Sequence, residues 1–311
     1  MTRYYRKVFR ITADQSPNVQ LALAEMANGK EPSGRIIVPG VMPYSDYKKR
    51  RETWDEIRQS IGLDAQFYEG AELLIIPPQW LGKSAQEAER LKGVKKREAK
   101  AIGVDPGEGA AETCITVIDE LGVLDEIAIP TPDTSVIQGT VIATGRKWNV
   151  PATRWMFDRG GGGKQIADRM RDDGYEVLTV AFGDVVAIGP RRGKPFFRER
   201  LDVAEARSAY KNRRAQMYGD LASIIDPTAD DPPFAIPAHY QELHRQLSLI
   251  PKKYDHEGKL VLPPKNRRTS NTNEATMQDI LGCSPDRADA LVIAVHCMLY
   301  GDTRPVAGGV V

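Results

Sequence analysis

The fold of this chain is decided by residues 101–107, which have the sequence Ala-Ile-Gly-Val-Asp-Pro-Gly. A short apolar run that ends in Asp105, Pro106 and Gly107 predicts a buried strand followed by a tight turn, with a carboxylate at the strand's end. Residues 113–119 (Thr-Cys-Ile-Thr-Val-Ile-Asp) are rich in β-formers, and Gly122 turns the chain into a further strand over 123–130. Three successive strands with short connections predict an antiparallel start to a sheet.

Downstream of these strands the pattern alternates between helices and strands. We predict helices over 134–147, 164–173, 203–225 and 286–300, and strands over 154–158 and 176–182. Three antiparallel strands followed by helix, strand, helix and strand predict an α/β fold with a mixed β-sheet flanked by helices.

The first third of the chain has a different character. Residues 1–81 contain several Pro and Gly breaks, with a predicted helix over 44–61 and a short strand over 72–76. Residues 82–100 predict a charged helical linker. We therefore expect an N-terminal region over 1–98 and a larger domain over 99–311.

The composition limits the class of protein. Hydrophobic residues make up 41% and charged residues 27%, and no apolar run is long enough to span a bilayer. The three cysteines are scattered without CxxC spacing, which argues against a structural zinc site or a disulfide framework. We expect a cytoplasmic protein without a membrane partner.

Acidic residues lie where the predicted order brings elements together. Asp105 and Asp158 each end an apolar strand, and Asp286 and Asp289 begin the last helix. Carboxylates at the ends of neighbouring strands, joined by a third from a helix, are ligands that Mg²⁺ or Mn²⁺ favours. Two such ions about 4 Å apart catalyse phosphodiester hydrolysis in many nucleases. We predict Asp105, Asp158 and Asp289 as catalytic metal ligands.

The sequence leaves open whether Asp286 and Glu112 are also metal ligands. Asp289 is preferred because it interrupts an apolar helical face, where an unpaired carboxylate is costly. Asp286 has a simpler role as a first-turn acid, with Ser284 as N-cap and Pro285 at the first helical position. Glu112, on the loop after the first strand, is either an additional ligand or a solvated side chain.

Glycines at 160–163 follow Asp158 and precede Lys164-Gln165. A phosphate-binding P-loop requires a glycine where Asp158 stands and a Ser or Thr where Gln165 stands, so this is not a nucleotide site. The glycines fit either a close approach of backbone to a substrate phosphate or an ordinary tight turn.

Basic residues are concentrated in the second half of the chain. Nine basic and three acidic residues lie between Arg191 and Arg214, a balance typical of a surface that follows the phosphates of double-stranded DNA. The predicted DNA contacts are Arg191, Arg192, Lys194, Arg198, Arg200, Lys211, Arg213, Arg214 and Lys265. Residues 190–200 predict a β-hairpin with a Gly tip.

Four segments in order carry a resemblance to a known family. Residues 102–107, 157–163, 210–218 and 284–290 resemble the nuclease domain of the large terminase subunit of tailed double-stranded DNA phages, over residues 99–300. The resemblance implies a ribonuclease-H-like fold, two Mg²⁺ or Mn²⁺ ions, and cutting of concatemeric DNA during packaging in the host cytoplasm. It also implies a terminase small subunit and a portal as partners.

Residues 1–81 resemble the end of the terminase ATPase domain and its linker. Because the chain has no acceptable Walker A motif, we expect no ATPase activity from this chain alone and a motor that is missing or on another chain. The alternatives are a Holliday-junction resolvase-like nuclease, a non-catalytic DNA-binding packaging module, and an actin-like ATPase. An actin-like ATPase would need two copies of the fold, whereas the sequence indicates a single copy.

Overall fold

The computed structural model describes residues 10–54, 59, 62–65, 74–94, 97–107, 111–186, 209–229, 231–266 and 274–301. Its contacts divide the chain into two compact units, Met1–Ala71 and Glu72–Val311. None of the helices in these ranges is long and apolar enough to cross a membrane.

The first unit contains two helices, α1 (Pro17–Ala27) and α2 (Tyr44–Thr53). Asn18 is 2% exposed, and its side-chain amide hydrogen-bonds the backbone of residues 37, 38 and 41. The helix predicted over 44–61 is confirmed only as far as Thr53, because Trp54 has extended backbone angles. Most of its predicted second half lies outside the described residues.

The second unit begins upstream of the predicted domain boundary. Helix α3 (Pro78–Leu91), predicted in part as a linker, buries Leu81 in the main core. The Ser84 hydroxyl donates to the Phe234 carbonyl at 2.6 Å and accepts from the Ile236 amide at 2.9 Å. This helix is therefore part of the larger unit, and the compact division falls between residues 71 and 72 and not at 98.

A five-stranded mixed sheet forms the centre of this unit. The strands are β1 (Ala101–Asp105), β2 (Thr113–Ile118), β3 (Val123–Ile129), β4 (Trp155–Asp158) and β5 (Leu178–Val180). Their order is β3-β2-β1-β4-β5, with β1–β2 and β2–β3 antiparallel and β1–β4 and β4–β5 parallel. The predicted α/β fold and antiparallel start are confirmed.

Helices cover both faces of the sheet. The remaining elements are α4 (Thr134–Trp148), α5 (Gly163–Asp172), α6 (Arg213–Ile225), α7 (Gln241–Leu247), β6 (Lys253–Tyr254), β7 (Leu260–Val261), α8 (Met277–Leu281) and α9 (Asp286–Tyr300). One core lies between the sheet and α4 and α5, and the other between the sheet and α6 and α9. The hairpin of β6 and β7 and the short helices α7 and α8 complete the described part of the unit.

Helix α6 starts later than the sequence pattern predicts. The Asn212 side chain accepts a hydrogen bond from the Ala215 amide and caps the helix, while Tyr210 forms a bridge with Leu260 of β7. The predicted start over 203–208 lies outside the described residues.

Gly103 lets α9 lie directly on the sheet. A Cβ atom at this position would be 2.2 Å from the Ala290 carbonyl oxygen and 2.3 Å from the Ala294 amide nitrogen. Because both obstacles are backbone atoms, a larger residue would push the helix away. This contact sets the distance between the sheet and the N-terminal half of α9.

Candidate metal centre

Two of the predicted aspartates lie side by side at one edge of the sheet. In the parallel pairing of β1 with β4, Val104 stands opposite Phe157, so the next residues, Asp105 and Asp158, end neighbouring strands together. Both are nearly buried, at 3% and 7% exposure. The carboxyl ends of parallel strands are where α/β sheets bind ligands.

The alternation of side chains along a strand directs these carboxylates toward α9. Successive residues point to opposite faces of a sheet, so Asp105 shares a face with Gly103, which contacts α9. Asp286 and Asp289 lie in the first turn of that helix, on the N-terminal side of Ala290. The four carboxylates predicted from the sequence therefore meet at one place.

The ammonium of Lys265 lies among three of them. Its Nζ is 3.1 Å from Asp105 Oδ2, 3.4 Å from Asp286 Oδ1 and 3.0 Å from Asp289 Oδ2. The segment after β7 brings it there, and the Lys265 carbonyl accepts a hydrogen bond from the Gln278 amide of α8. Lys265 was predicted as a surface contact to DNA; the structure places it in the carboxylate cluster, where opposite charge holds it.

Asp289 is the most enclosed of the acids, with no exposed surface. The Tyr218 hydroxyl donates to its Oδ1 at 2.6 Å, and Arg214 Nη2 donates to the same oxygen at 3.5 Å. Its Oδ2 is buried and receives no well-aligned hydrogen bond from the described residues. This oxygen faces Lys265.

Charges and burial set opposite protonation tendencies within the cluster. Burial raises the pKa of Asp105 well above its ordinary value, although Lys265 opposes the shift. Burial also raises the pKa values of Asp158 and Asp286. For Asp289, burial alone would raise the pKa, but Lys265, Arg214 and the Tyr218 hydroxyl outweigh it and lower the pKa.

The pKa of Lys265 is raised well above its ordinary value. Burial disfavours the ammonium, but the charges of Asp105, Asp289 and Asp286 outweigh this effect. The lysine therefore stays charged at neutral pH and neutralises part of the cluster.

The glycine-rich loop lies directly after Asp158. Gly161 and Gly162 have φ values of +58° and +74°, which residues with side chains rarely adopt. A Cβ on Gly163 would stand 1.9 Å from the Asp158 carbonyl oxygen. The sequence therefore needs glycine to start α5 this close to Asp158.

A side chain from elsewhere in the chain caps α9. Gln246 Oε1, on α7, accepts hydrogen bonds from the amides of Arg287 at 3.1 Å and Ala288 at 3.0 Å. Ser284 was predicted as the N-cap, with Pro285 as the first helical residue. In the structure Pro285 is the N-cap residue without a side-chain cap, and the Ser284 hydroxyl donates to the Asp286 carboxylate.

Glu112 pairs with an arginine of α9. Arg287 Nη2 is 3.2 Å from Glu112 Oε2, and its Nη1 is 2.7 Å from Glu126 Oε1, which is almost fully buried. Glu112 remains 45% exposed. It lies on the wall of the site, and no ion pair joins it to Lys265 within the described ranges.

The cluster opens into a cavity of about 960 Å³. Its wall includes Asp105, Asp158, Asp286, Glu112 and Glu242, which are acidic, and Lys265 and Arg287, which are basic. An excess of carboxylates at the wall favours cations in the cavity.

The donors present fit a hard divalent cation. The cluster offers carboxylate oxygens, and Mg²⁺ and Mn²⁺ prefer such ligands. As arranged, no trio of His, Cys, Asp or Glu side chains within the described ranges forms a metal-holding group. The Lys265 ammonium lies 3.0–3.4 Å from an oxygen of Asp105, Asp286 and Asp289, so a cation at these oxygens would compete with it.

Most of the predicted DNA contacts either lie outside the described residues or are turned inward. Arg191, Arg192, Lys194, Arg198 and Arg200 lie outside, as does the predicted hairpin over 190–200. Arg214 is 6% exposed and donates to Asp289 at 3.5 Å, and its contact to DNA stays a prediction. Arg213 is half-buried, with Nε donating to the Val185 carbonyl. Lys211 is half-exposed and pairs with Asp255 at 3.1 Å.

Comparison with known proteins gives structural matches. No family model matches the chain, and no curated protein is found as a relative. The nuclease domain of the large terminase subunit gp2 of bacterial virus Sf6 matches with a TM-score of 0.54 and 19% identity, over 72% of this chain and 99% of that one. A mutant of that domain with manganese and β-thujaplicinol gives the same values.

A calcium-containing mutant of the Sf6 domain matches with a TM-score of 0.53 and 19% identity, over 72% of this chain and 100% of that one. At this level of identity the likeness concerns the fold. The chain has the ribonuclease-H-like fold of terminase nuclease domains, and the resemblance expected from the sequence is confirmed for the fold.

Proposed function

We propose that this chain is a divalent-cation-dependent endodeoxyribonuclease that cuts concatemeric DNA during phage genome packaging. The observation that carries the proposal is the placement of Asp105, Asp286 and Asp289 around Lys265, with Asp158 at the end of the strand beside Asp105. Asp105, Asp158 and Asp286 line an open cavity. The fold supports it, since the similar Sf6 domain is described as a nuclease and was solved with manganese.

Asp105, Asp158 and Asp289 would hold the cations, and Asp286 is placed to contribute a fourth carboxylate. Two divalent cations, when bound, supply the Lewis-acid chemistry that activates water and stabilises the leaving oxygen of a phosphodiester. The chain's own residues fix the carboxylates on rigid strands and one buried helix. The start of α5 offers backbone amides for a neighbouring phosphate.

The proposed role in packaging implies several partners for this chain. Double-stranded DNA is the substrate, and a terminase small subunit, a portal and an ATPase motor on another segment or chain complete the proposed assembly. Contacts to phosphates would carry little base specificity. Lys211 and the basic residues over 191–200 remain the proposed DNA contacts.

Cutting of supercoiled plasmid tests the proposal. The full chain is incubated with Mg²⁺, Mn²⁺ or EDTA, beside the variant Asp158→Asn and the control Asp168→Asn, which changes an exposed aspartate of α5. We expect nicking and linearisation with either metal, loss of cutting in Asp158→Asn, and retention in the control.

Two results would contradict this function. Cutting that persists in EDTA or in Asp158→Asn would show that another site is responsible. A folded chain that binds DNA without cutting it under any metal would indicate a non-catalytic module. A strong preference for a synthetic four-way junction over linear duplex would favour the resolvase alternative.

A further inference from the structure

The two oxygens of the Asp289 carboxylate face different surroundings. Oδ1 lies against α6, where the Tyr218 hydroxyl donates to it at 2.6 Å and Arg214 Nη2 at 3.5 Å. Oδ2 points the other way and is 3.0 Å from the Lys265 ammonium. Only the second oxygen therefore faces the space that the other carboxylates share.

Both donors to Oδ1 are fixed by their own packing. Tyr218 and Arg214 are four residues apart on α6, so they lie on one face of the helix, and they are 0% and 6% exposed. Arg214 Nη1 donates to the Pro263 carbonyl at 3.2 Å, and its guanidinium lies 5.5 Å from the centre of the Phe182 ring. A carboxylate held by buried, packed donors has little freedom to rotate.

The number of oxygens that a carboxylate offers affects the choice of cation. Mg²⁺ demands near-ideal octahedral geometry with few protein ligands, while Ca²⁺ takes six to eight oxygens and accepts carboxylates that bind through both. Hydrogen bonds to the far side of a ligand also orient it and tune its affinity for the metal.

We propose that Tyr218 and Arg214 are positioning residues that restrict Asp289 to binding through Oδ2 alone, and that they thereby favour Mg²⁺ and Mn²⁺ over Ca²⁺. This inference rests on the proposed function, since it concerns the same site. It assigns a selectivity role to two side chains that do not line the cavity.

The test compares cation affinities in the variant Tyr218→Phe, which keeps the buried ring and removes the hydroxyl. Dissociation constants of Mg²⁺, Mn²⁺ and Ca²⁺ are measured by calorimetry on the full chain, beside plasmid cutting. We expect the ratio of Ca²⁺ to Mg²⁺ affinity to rise by about tenfold, in line with the effect of outer partners on metal sites. Arg214→Lys should shift the ratio in the same direction.

Tyr300→Phe is the matched control. Its hydroxyl is also buried between α6 and α9, but it donates to Asp220 Oδ2 at 3.3 Å. We expect this variant to lose stability without changing the ratio of the two affinities. If the effect came from a general loosening of the interface, the affinity ratio would change equally in both tyrosine variants.

The outcomes separate the two proposals. An unchanged ratio in Tyr218→Phe, with wild type binding Mg²⁺ and cutting DNA, overturns the selectivity role and leaves the nuclease intact. If Tyr218→Phe does not fold, the ratio in Arg214→Lys decides in the same way. A wild-type chain that binds none of the three cations overturns both.

Discussion

Replacing Lys265 by methionine removes one charge from the middle of the carboxylate cluster. The substitution keeps a long unbranched side chain but leaves Asp105, Asp286 and Asp289 without the ammonium that lies 3.0–3.4 Å from each. These three side chains are between 0% and 11% exposed, so water replaces the lost partner poorly.

The magnitude follows from the loss of a buried partner. Removing one member of a buried ion pair costs about 3–5 kcal/mol, and we take about 3 kcal/mol because Lys265 retains some exposure. For a unit of this size that corresponds to a Tm lower by roughly 6–12 °C. Lys211→Met is the control, since its half-exposed pair with Asp255 contributes about 0–1 kcal/mol.

The sign of the pH dependence follows from the carboxylates. Burial raises the pKa values of Asp105 and Asp286, and such acids destabilise the folded state increasingly as pH rises through the folded pKa. Without Lys265 these values rise further. The deficit in Tm should therefore be largest at neutral and alkaline pH and should shrink as the solution is acidified.

Thermal unfolding in EDTA and in Mg²⁺ or Mn²⁺ measures the effect. We expect the divalent cation to raise the Tm of Lys265→Met more than the Tm of wild type, because in the variant no ammonium competes with the cation. An equal Tm in EDTA for Lys265→Met and wild type, or a deficit that neither pH nor metal changes, would refute the reasoning.

Two further predictions concern the fold. A chain starting at residue 74 should keep the Tm of the larger unit, whereas one starting at 99 loses Leu81 and the Ser84 hydrogen bonds and should melt lower; equal melting in circular dichroism would contradict this. Gly103→Ala should cost about 3 kcal/mol in urea unfolding because its Cβ meets backbone. The control Gly139→Ala changes an open helical position and should raise the free energy of unfolding by about 0.5–1 kcal/mol. If Gly103→Ala leaves the free energy of unfolding unchanged, α9 can move away from the sheet and the prediction is wrong.

Sequence reasoning succeeds where local pattern determines position. Asp105 and Asp158 each end an apolar run, and two parallel strands place their last residues together regardless of what surrounds them. Asp289 is identified because a carboxylate on an apolar helical face requires a partner. Most strand and helix boundaries follow from the hydrophobic periodicity.

Sequence reasoning fails where the residue that contacts a site side chain is distant in the chain. Lys265 is one basic residue among many in the sequence, and its pairing with Asp105 spans 160 residues. Gln246 caps α9 from 41 residues upstream, and Tyr218 serves Asp289 across 71. No local pattern marks these residues, because their role depends on the packing of α6, α7 and α9.

The arrangement separates the requirements of folding from those of metal binding. Four buried carboxylates repel one another, and a chain that relied on a cation alone would fold only when the metal was present. Lys265 supplies a positive charge from within that offsets part of this repulsion, and on the proposed function the same ammonium would compete with a divalent cation. On that function the site would have weaker metal affinity but would depend less on metal for folding. Substitution of Lys265 should reveal both effects at once, as lower stability in EDTA and tighter metal binding.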